Sequence, residues 1–249
     1  MYRYFVILDY NGSAFHGWQY QPNATSVQEV VEKAFSTLLK ESTAITGCGR
    51  TDTGVHAINY VAHFDSSHSG LQGNVNLIYK LNRFLPREIA LRSIKFMHPE
   101  AHSRFDATSR TYRYYISRKK DPFYHAMRLN FLGALDISLM NRAAQELFNY
   151  TDFTSFSKVD TDVKTNNCKI MEAYWTETGD QLVFTIKADR FLRNMVRAIV
   201  GTLFEVGLGK ISMEEFCQII EAKDRCQAGH SMLANALFLE KVEYPYPIV

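Results

Sequence analysis

The sequence predicts an α/β protein, of the α+β kind, built as two similar halves with an active-site cleft between them. Each half is expected to be a mixed or antiparallel sheet with helices. Three observations carry this. The chain has 249 residues, 46% of them hydrophobic, enough for one large core or two small ones at about 150 residues per domain. Strand-like and helix-like patterns alternate along it instead of segregating. A strand, helix, loop, strand run in the first part is followed by a second run of similar make-up.

Tyr2 to Asp9 reads as a strand ended by the turn Asn11-Gly12. Ser26-Val27-Gln28-Glu29 has the form of a capping box. Val27, Val30, Val31, Ala34, Phe35, Leu38 and Leu39 then recur at helical spacing, which predicts a helix to about Lys40. A glycine-studded segment, Gly47 to Gly54, leads into an expected strand from Ala57 to Phe64. In the second run Thr111 to Ser117 is strand-like and Ser138 to Phe148 helical. Ile170 to Glu177 pairs with Leu182 to Ala188 through Thr178-Gly179-Asp180, and Phe191 to Val206 is a helix. No Pro/Ser-rich linker marks the boundary, which is placed near Phe105, giving domains 1–104 and 105–249. On the wheel of Phe191 to Val206 the apolar residues share one side and Arg193, Arg197 and Gly201 the other. Such a helix either has an exposed edge or carries arginines to a buried carboxylate or phosphate, with Gly201 permitting close approach.

Composition excludes several classes. Gly and Pro number 13 and 6, so neither disorder nor a fibrous repeat is indicated. Cys48, Cys168, Cys217 and Cys226 form no CxxC pair and have no His at ligand spacing, which speaks against structural zinc and for thiols in a reducing compartment. No cofactor or metal motif is present. The apolar run Tyr4 to Leu8 is too short for a signal peptide, and no run reaches the about eighteen apolar residues of a membrane helix. A cytoplasmic protein without membrane attachment is expected.

The net charge of +2 argues against a strongly basic nucleic-acid binder. The average conceals an uneven distribution. Between Lys80 and Arg128 twelve Lys/Arg face four acids, +8 in 49 residues, leaving −6 elsewhere. Tyr112, Tyr114, Tyr115, Phe123 and Tyr124 lie among those cations. This is either solvated surface or a polyanion-binding face that adds stacking to charge.

Gly49-Arg50-Thr51-Asp52-Thr53-Gly54 fails two glycine-loop templates. The dinucleotide pattern needs glycine where Asp52 stands, and the phosphate loop needs Lys where Val55 stands. Asp52-Thr53-Gly54 matches the aspartic-protease triplet, but that chemistry needs two carboxylates sharing a proton. No second triplet exists here, so the dyad would need a homodimer, and Arg50 would depress the carboxylate where the dyad needs one raised. Two readings of Asp52 stay open: a turn cap, or an ionised carboxylate beside Arg50, placed to act as nucleophile or base toward a large ligand.

Gly49-Arg50-Thr51-Asp52-Thr53-Gly54-Val55-His56-Ala57 resembles the GRTDxGVHA signature of the tRNA pseudouridine synthase A family. In order along the chain, Asp9-Tyr10-Asn11-Gly12 with Phe15-His16-Gly17-Trp18-Gln19 is similar to YDGxxFxGWQ, and Arg110-Thr111-Tyr112-Arg113-Tyr114 to RxYxY. Asp152 to Phe156, Asn194-Met195-Val196-Arg197 with Ile199-Val200-Gly201, and Val242 to Pro245 complete the series. Cys48 and Thr53 depart near-isosterically, and Gly229 to Ala236 lacks the family's usual Ala-Pro and Gly. The resemblance implies a cofactor-independent isomerase. In that reaction the uridine N1–C1′ bond breaks and C5 bonds to C1′ in the tRNA anticodon stem-loop, at positions 38 to 40. It implies that Asp52 is the catalytic carboxylate, that Arg197 ion-pairs with it, that Tyr112 stacks on the target uracil, and that Arg50 binds RNA backbone or holds the flipped nucleotide. A homodimer gripping tRNA is implied as well. The rival from another class is a non-catalytic RNA-binding protein or chaperone on the same fold, which would tolerate loss of Asp52.

Overall fold

The computed structural model describes residues 1–158 and 164–248. Two compact units form, Met1–Thr108 with Leu239–Val249, and Ser109–Phe238. The segment from Leu239 onward, placed by sequence in the second half, goes with the first unit. Its attachments explain this: Thr108 N and Oγ1 both donate to Glu243 O (2.8 and 3.1 Å), and the Tyr244 ring meets Phe5 edge-on at 5.5 Å.

In the first unit the elements are β1 (Tyr2–Tyr10), α1 (Val27–Leu39), β2 (Thr46–Gly47), β3 (His56–Ser66), α2 (Val75–Phe84), β4 (Ile89–Met97) and most of β9 (Leu237–Glu243). The strand order is β4-β1-β3, with β9 beyond β3 and β2 paired to β3. β1 runs antiparallel to both neighbours. Being central, it buries five consecutive residues, Tyr4 to Leu8, which is why its alternation is weak. Of the expected capping box, Ser26 Oγ accepts from Glu29 N at 3.3 Å, and the helix closes on Lys40 at φ 57. Its apolar face buries Val27, Val31, Ala34, Phe35 and Leu39, with Phe35 and Phe64 rings 4.8 Å apart. One such buried aromatic contributes roughly 1.5–3 kcal/mol.

The second unit contains β5 (Ser109–Ser117), β6 (Leu129–Asn130), α3 (Ile137–Glu146), β7 (Ile170–Thr178), β8 (Gln181–Ala188), α4 (Met195–Gly207) and α5 (Met213–Glu221). β5, β8 and β7 are antiparallel neighbours in that order, and β6 pairs parallel to β5. The β7–β8 register puts Thr178 opposite Gln181, leaving Gly179 (φ 58) and Asp180 as a two-residue turn, where a positive φ matches the strand twist. α4 starts later than the sequence pattern predicts. Asn194 is left-handed (φ 66), which no helix interior tolerates, so Phe191 to Asn194 precede the helix and Arg193 does not share its face with Arg197. Ser212 and Glu215 make a complete capping box that starts α5.

β4 in the first unit and β7 in the second are closed in the same way. On β4, Leu91 N donates to Asn82 Oδ1 (2.8 Å) and Asn82 Nδ2 donates to Leu91 O (2.9 Å). On β7, Trp175 N and O make the same pair with Asn141 (2.7 and 3.1 Å). In each unit a helix thus supplies an amide side chain that satisfies both main-chain groups of one edge residue, and α3 adds Gln145 Nε2 donating to Ala173 O at 3.2 Å. The α/β class with mixed and antiparallel sheets is as the sequence predicts. Among the described residues, no helix is long and apolar enough to cross a membrane.

Candidate active site

The loop that carries Asp52 runs from β2 back to β3. Cys48 N donates to Val61 O at 2.8 Å, and the Tyr60 hydroxyl donates to Gly49 O. Gly47 lies against an aromatic wall. A Cβ there would sit 2.1 Å from Tyr60 Oη and 2.5 Å from Trp18 Nε1, and those two rings stack at 4.1 Å. Thr51 is buried and its Oγ1 bonds Tyr10 Oη at 2.9 Å. Val55 N returns to Asp52 O at 3.1 Å, closing a turn in which Gly54 takes φ 82, the value its third position requires.

Two glycines from the preceding segment press on this turn. A Cβ on Gly12 would lie 2.0 Å from Val55 O, and one on Gly17 (φ 87) 2.3 Å from Thr51 O. Gly12 N donates to Nδ1 of the buried His56 at 3.0 Å, which leaves the ring proton of the neutral imidazole on Nε2. β3 then bulges where it pairs β1, with Asn59 left-handed (φ 53) and its N–H on Asp9 Oδ1 at 2.8 Å. The bond that closes the turn is accepted by the Asp52 main-chain carbonyl. The result is a loop anchored by buried Thr51 and Val55, in which Asp52 is half-buried and Arg50 and Thr53 are exposed.

In the second unit Tyr112 stands on β5, half-buried, with Phe191 edge-on to its ring at 5.1 Å and 88°. Tyr114, two residues on, shares its face and is fully buried. Burial pushes the Tyr114 hydroxyl well above its ordinary pKa, and the positive charge of Arg197 opposes that rise. Arg197 therefore acts at the same face of β5 as Tyr112. Its Nε donates to Met232 O at 2.6 Å. Arg110, also on this face, donates from Nη1 to Asp189 O at 2.8 Å.

Asp52 and Arg50 thus belong to the first unit, and Tyr112 and Arg197 to the second. The groups that hold the loop (Tyr10, Gly12, Gly17, Trp18, His56, Tyr60) carried no role in the sequence reading. The signal for most of them was present, since five fall inside the motifs already quoted. Ser231 and Met232 fall in the stretch singled out only as atypical. Among the described residues no group of three or more His, Cys, Asp or Glu is arranged to hold a metal. The first unit offers a carboxylate and a guanidinium, and the second offers guanidinium groups and a half-buried aromatic ring.

A family profile described as tRNA pseudouridine synthase matches residues 143–245. The chain is 56% identical over 245 residues to tRNA pseudouridine synthase A of Parabacteroides distasonis, with 98% of this chain and 97% of that protein covered. It is 54% identical over 251 residues to the Bacteroides thetaiotaomicron protein of the same name (100% and 93% covered). To that of Bacillus subtilis it is 39% identical over 241 residues (95% and 97%).

Proposed function

This chain belongs to the tRNA pseudouridine synthase A family, and on that premise we propose that Asp52 is its catalytic carboxylate and that its target uridines lie in the anticodon stem-loop, at positions 38 to 40. The enzyme is an isomerase that converts uridine in tRNA to pseudouridine. Atoms balance without a co-substrate: the N1–C1′ bond breaks, a C5–C1′ bond forms, the C5 proton leaves and N1 takes one up.

The observation that carries the role of Asp52 is the clamp on its loop. Thr51 and Val55 are buried on either side, yet Asp52 remains half-buried on a backbone fixed by Tyr10, Gly12 and Gly17. A carboxylate held so firmly but left accessible suits a reacting group, because little reorganisation remains when substrate arrives. By the same family resemblance, Arg197 is the proposed ion-pair partner of that carboxylate. The half-buried ring of Tyr112 receives the uracil once the nucleotide leaves its stack, base–aromatic stacking of ~1–3 kcal/mol offsetting part of the cost of flipping. Arg50, exposed beside Asp52, binds the RNA backbone or holds the flipped nucleotide. The enzyme works as a cytoplasmic homodimer that grips tRNA.

The test is release of tritium from tRNA labelled at uridine C5. Asp52→Asn is expected to abolish release while binding tRNA as the wild type does. Turnover at the wild-type rate would remove Asp52 from the chemistry.

A further inference from the structure

The atypical stretch from Gly229 runs along α4 from its middle, at Thr202, back to Asn194 at its N-cap. Gly229 N donates to Thr202 Oγ1 at 3.0 Å. His230 O occupies the space beside Gly201, where a Cβ would be 1.9 Å away. Ser231 Oγ accepts from Asn194 Nδ2 and, at 2.8 Å, from Arg225 Nη2. Met232 makes two bonds to one residue: its N–H donates to Arg197 O at 3.1 Å, and its carbonyl accepts from Arg197 Nε at 2.6 Å.

From this we infer that Gly229–Met232 is a strap whose function is to position the guanidinium of Arg197, an inference that rests on Arg197 acting with Asp52. An arginine side chain is long and carries about 2 kcal/mol of rotamer entropy. Here its Nε–H, which lies in the guanidinium plane, is fixed to a carbonyl, and that fixes the direction in which the planar head presents its other nitrogens. The same residue's amide returns to Arg197 O, so the carbonyl cannot slide along the helix without breaking a second bond. Asn194, left-handed at the start of α4, holds the strap through Ser231. Gly201 is required because the strap backbone passes where a side chain would be. Met232, Ser231 and Gly201 are positioning residues, with no contact to the reacting atoms needed.

Gly201→Ala must displace the strap, and Ser231→Ala removes one hydroxyl that anchors it. Each is measured for kcat by tritium release, for tRNA Kd and for Tm, alone and in an Arg197→Lys background. Gly201→Ala is expected to lower kcat on the order of ten- to a hundredfold with Kd unchanged, the size of loss that a misplacement of about 1 Å produces. Ser231→Ala should lose less, and Ser231→Thr should restore it. In the Arg197→Lys background neither change should cost anything further, since the group they aim is already gone. Wild-type kcat with a lowered Tm, or losses that add to that of Arg197→Lys, would overturn the inference. Full kcat in Arg197→Lys alone is a different failure, striking the role of Arg197 itself. If Gly201→Ala does not fold, the serine variants decide.

Discussion

Replacing Gly17 by alanine perturbs the Asp52 loop without touching any charged or reacting group. Gly17 has φ 87, and its missing Cβ would lie 2.3 Å from Thr51 O. To reach ordinary contact at 3.4 Å, the Thr51 carbonyl must withdraw by about 1 Å, because backbone cannot rotate away as a flexible side chain can. Thr51 immediately precedes Asp52, so the displacement reaches the carboxylate. A misplacement of about 1 Å costs on the order of a hundredfold in rate. The left-handed backbone adds about 1–2 kcal/mol of strain for a residue with a Cβ. In a chain of this size that corresponds to a fall in Tm of roughly 2 to 8 °C. The assay is single-turnover tritium release, with circular dichroism for Tm and filter binding for tRNA. Gly49→Ala is the control for stability, since a Cβ there meets nothing within 4 Å. Unchanged kcat in a Gly17→Ala protein with normal Tm would refute the idea that the loop is held by this contact.

Tyr112→Ala is expected to lower activity by between about fivefold and 150-fold, the rate equivalent of ~1–3 kcal/mol of stacking; a change under about threefold would make Tyr112 a structural residue. His63 predicts a pH effect on stability in the first unit. Burial, helped by the positive charges of Arg3 and His102, pushes its imidazole pKa from 6.5 down to about 4, and its Nδ1 accepts from Ser103 N at 3.2 Å. The unfolded chain takes up a proton near 6.5 that the native state refuses, so this stability is complete above 6.5 and is lost progressively as pH falls toward 4. The full loss is roughly 3 kcal/mol. Urea midpoints of the wild type and His63→Gln across that window should show the shallower slope in the variant; equal slopes would exclude His63 as the source.

Where local chemistry decides the outcome, the sequence was legible. The Ser26 cap with its apolar spacing produced α1, and Thr178-Gly179-Asp180 produced the β7–β8 hairpin. α4 was anticipated but begun too early, because Asn194 carries no sign in the sequence that it will take φ 66. α5 passed unnoticed although Ser212 and Glu215 spell its capping box. α2 was harder: its polar face includes Asn82, which is spent on the β4 edge. Motif resemblance singled out Asp52, Tyr112, Arg197 and Arg50 as expectations, but not the contacts that hold the Asp52 loop. Gly12 against Val55 and Gly17 against Thr51 are contacts between residues more than thirty positions apart. Asp152 to Phe156, quoted only as a motif, has a structural task, with Phe153 and Phe156 fully buried and Ser155 Oγ on Ile219 O at 2.6 Å.

The amide clamps of Asn82 and Asn141 bear on how copies of this protein can associate. A strand can be added to a sheet only where the outer strand offers its N–H and C=O groups in step, and Leu91 and Trp175 offer neither. Strand addition, the least specific way for two sheet proteins to join, is interrupted at one residue of the strand in each unit. Asn82→Ala and Asn141→Ala would reopen those edges, and such a protein should lose solubility on storage before it loses its fold.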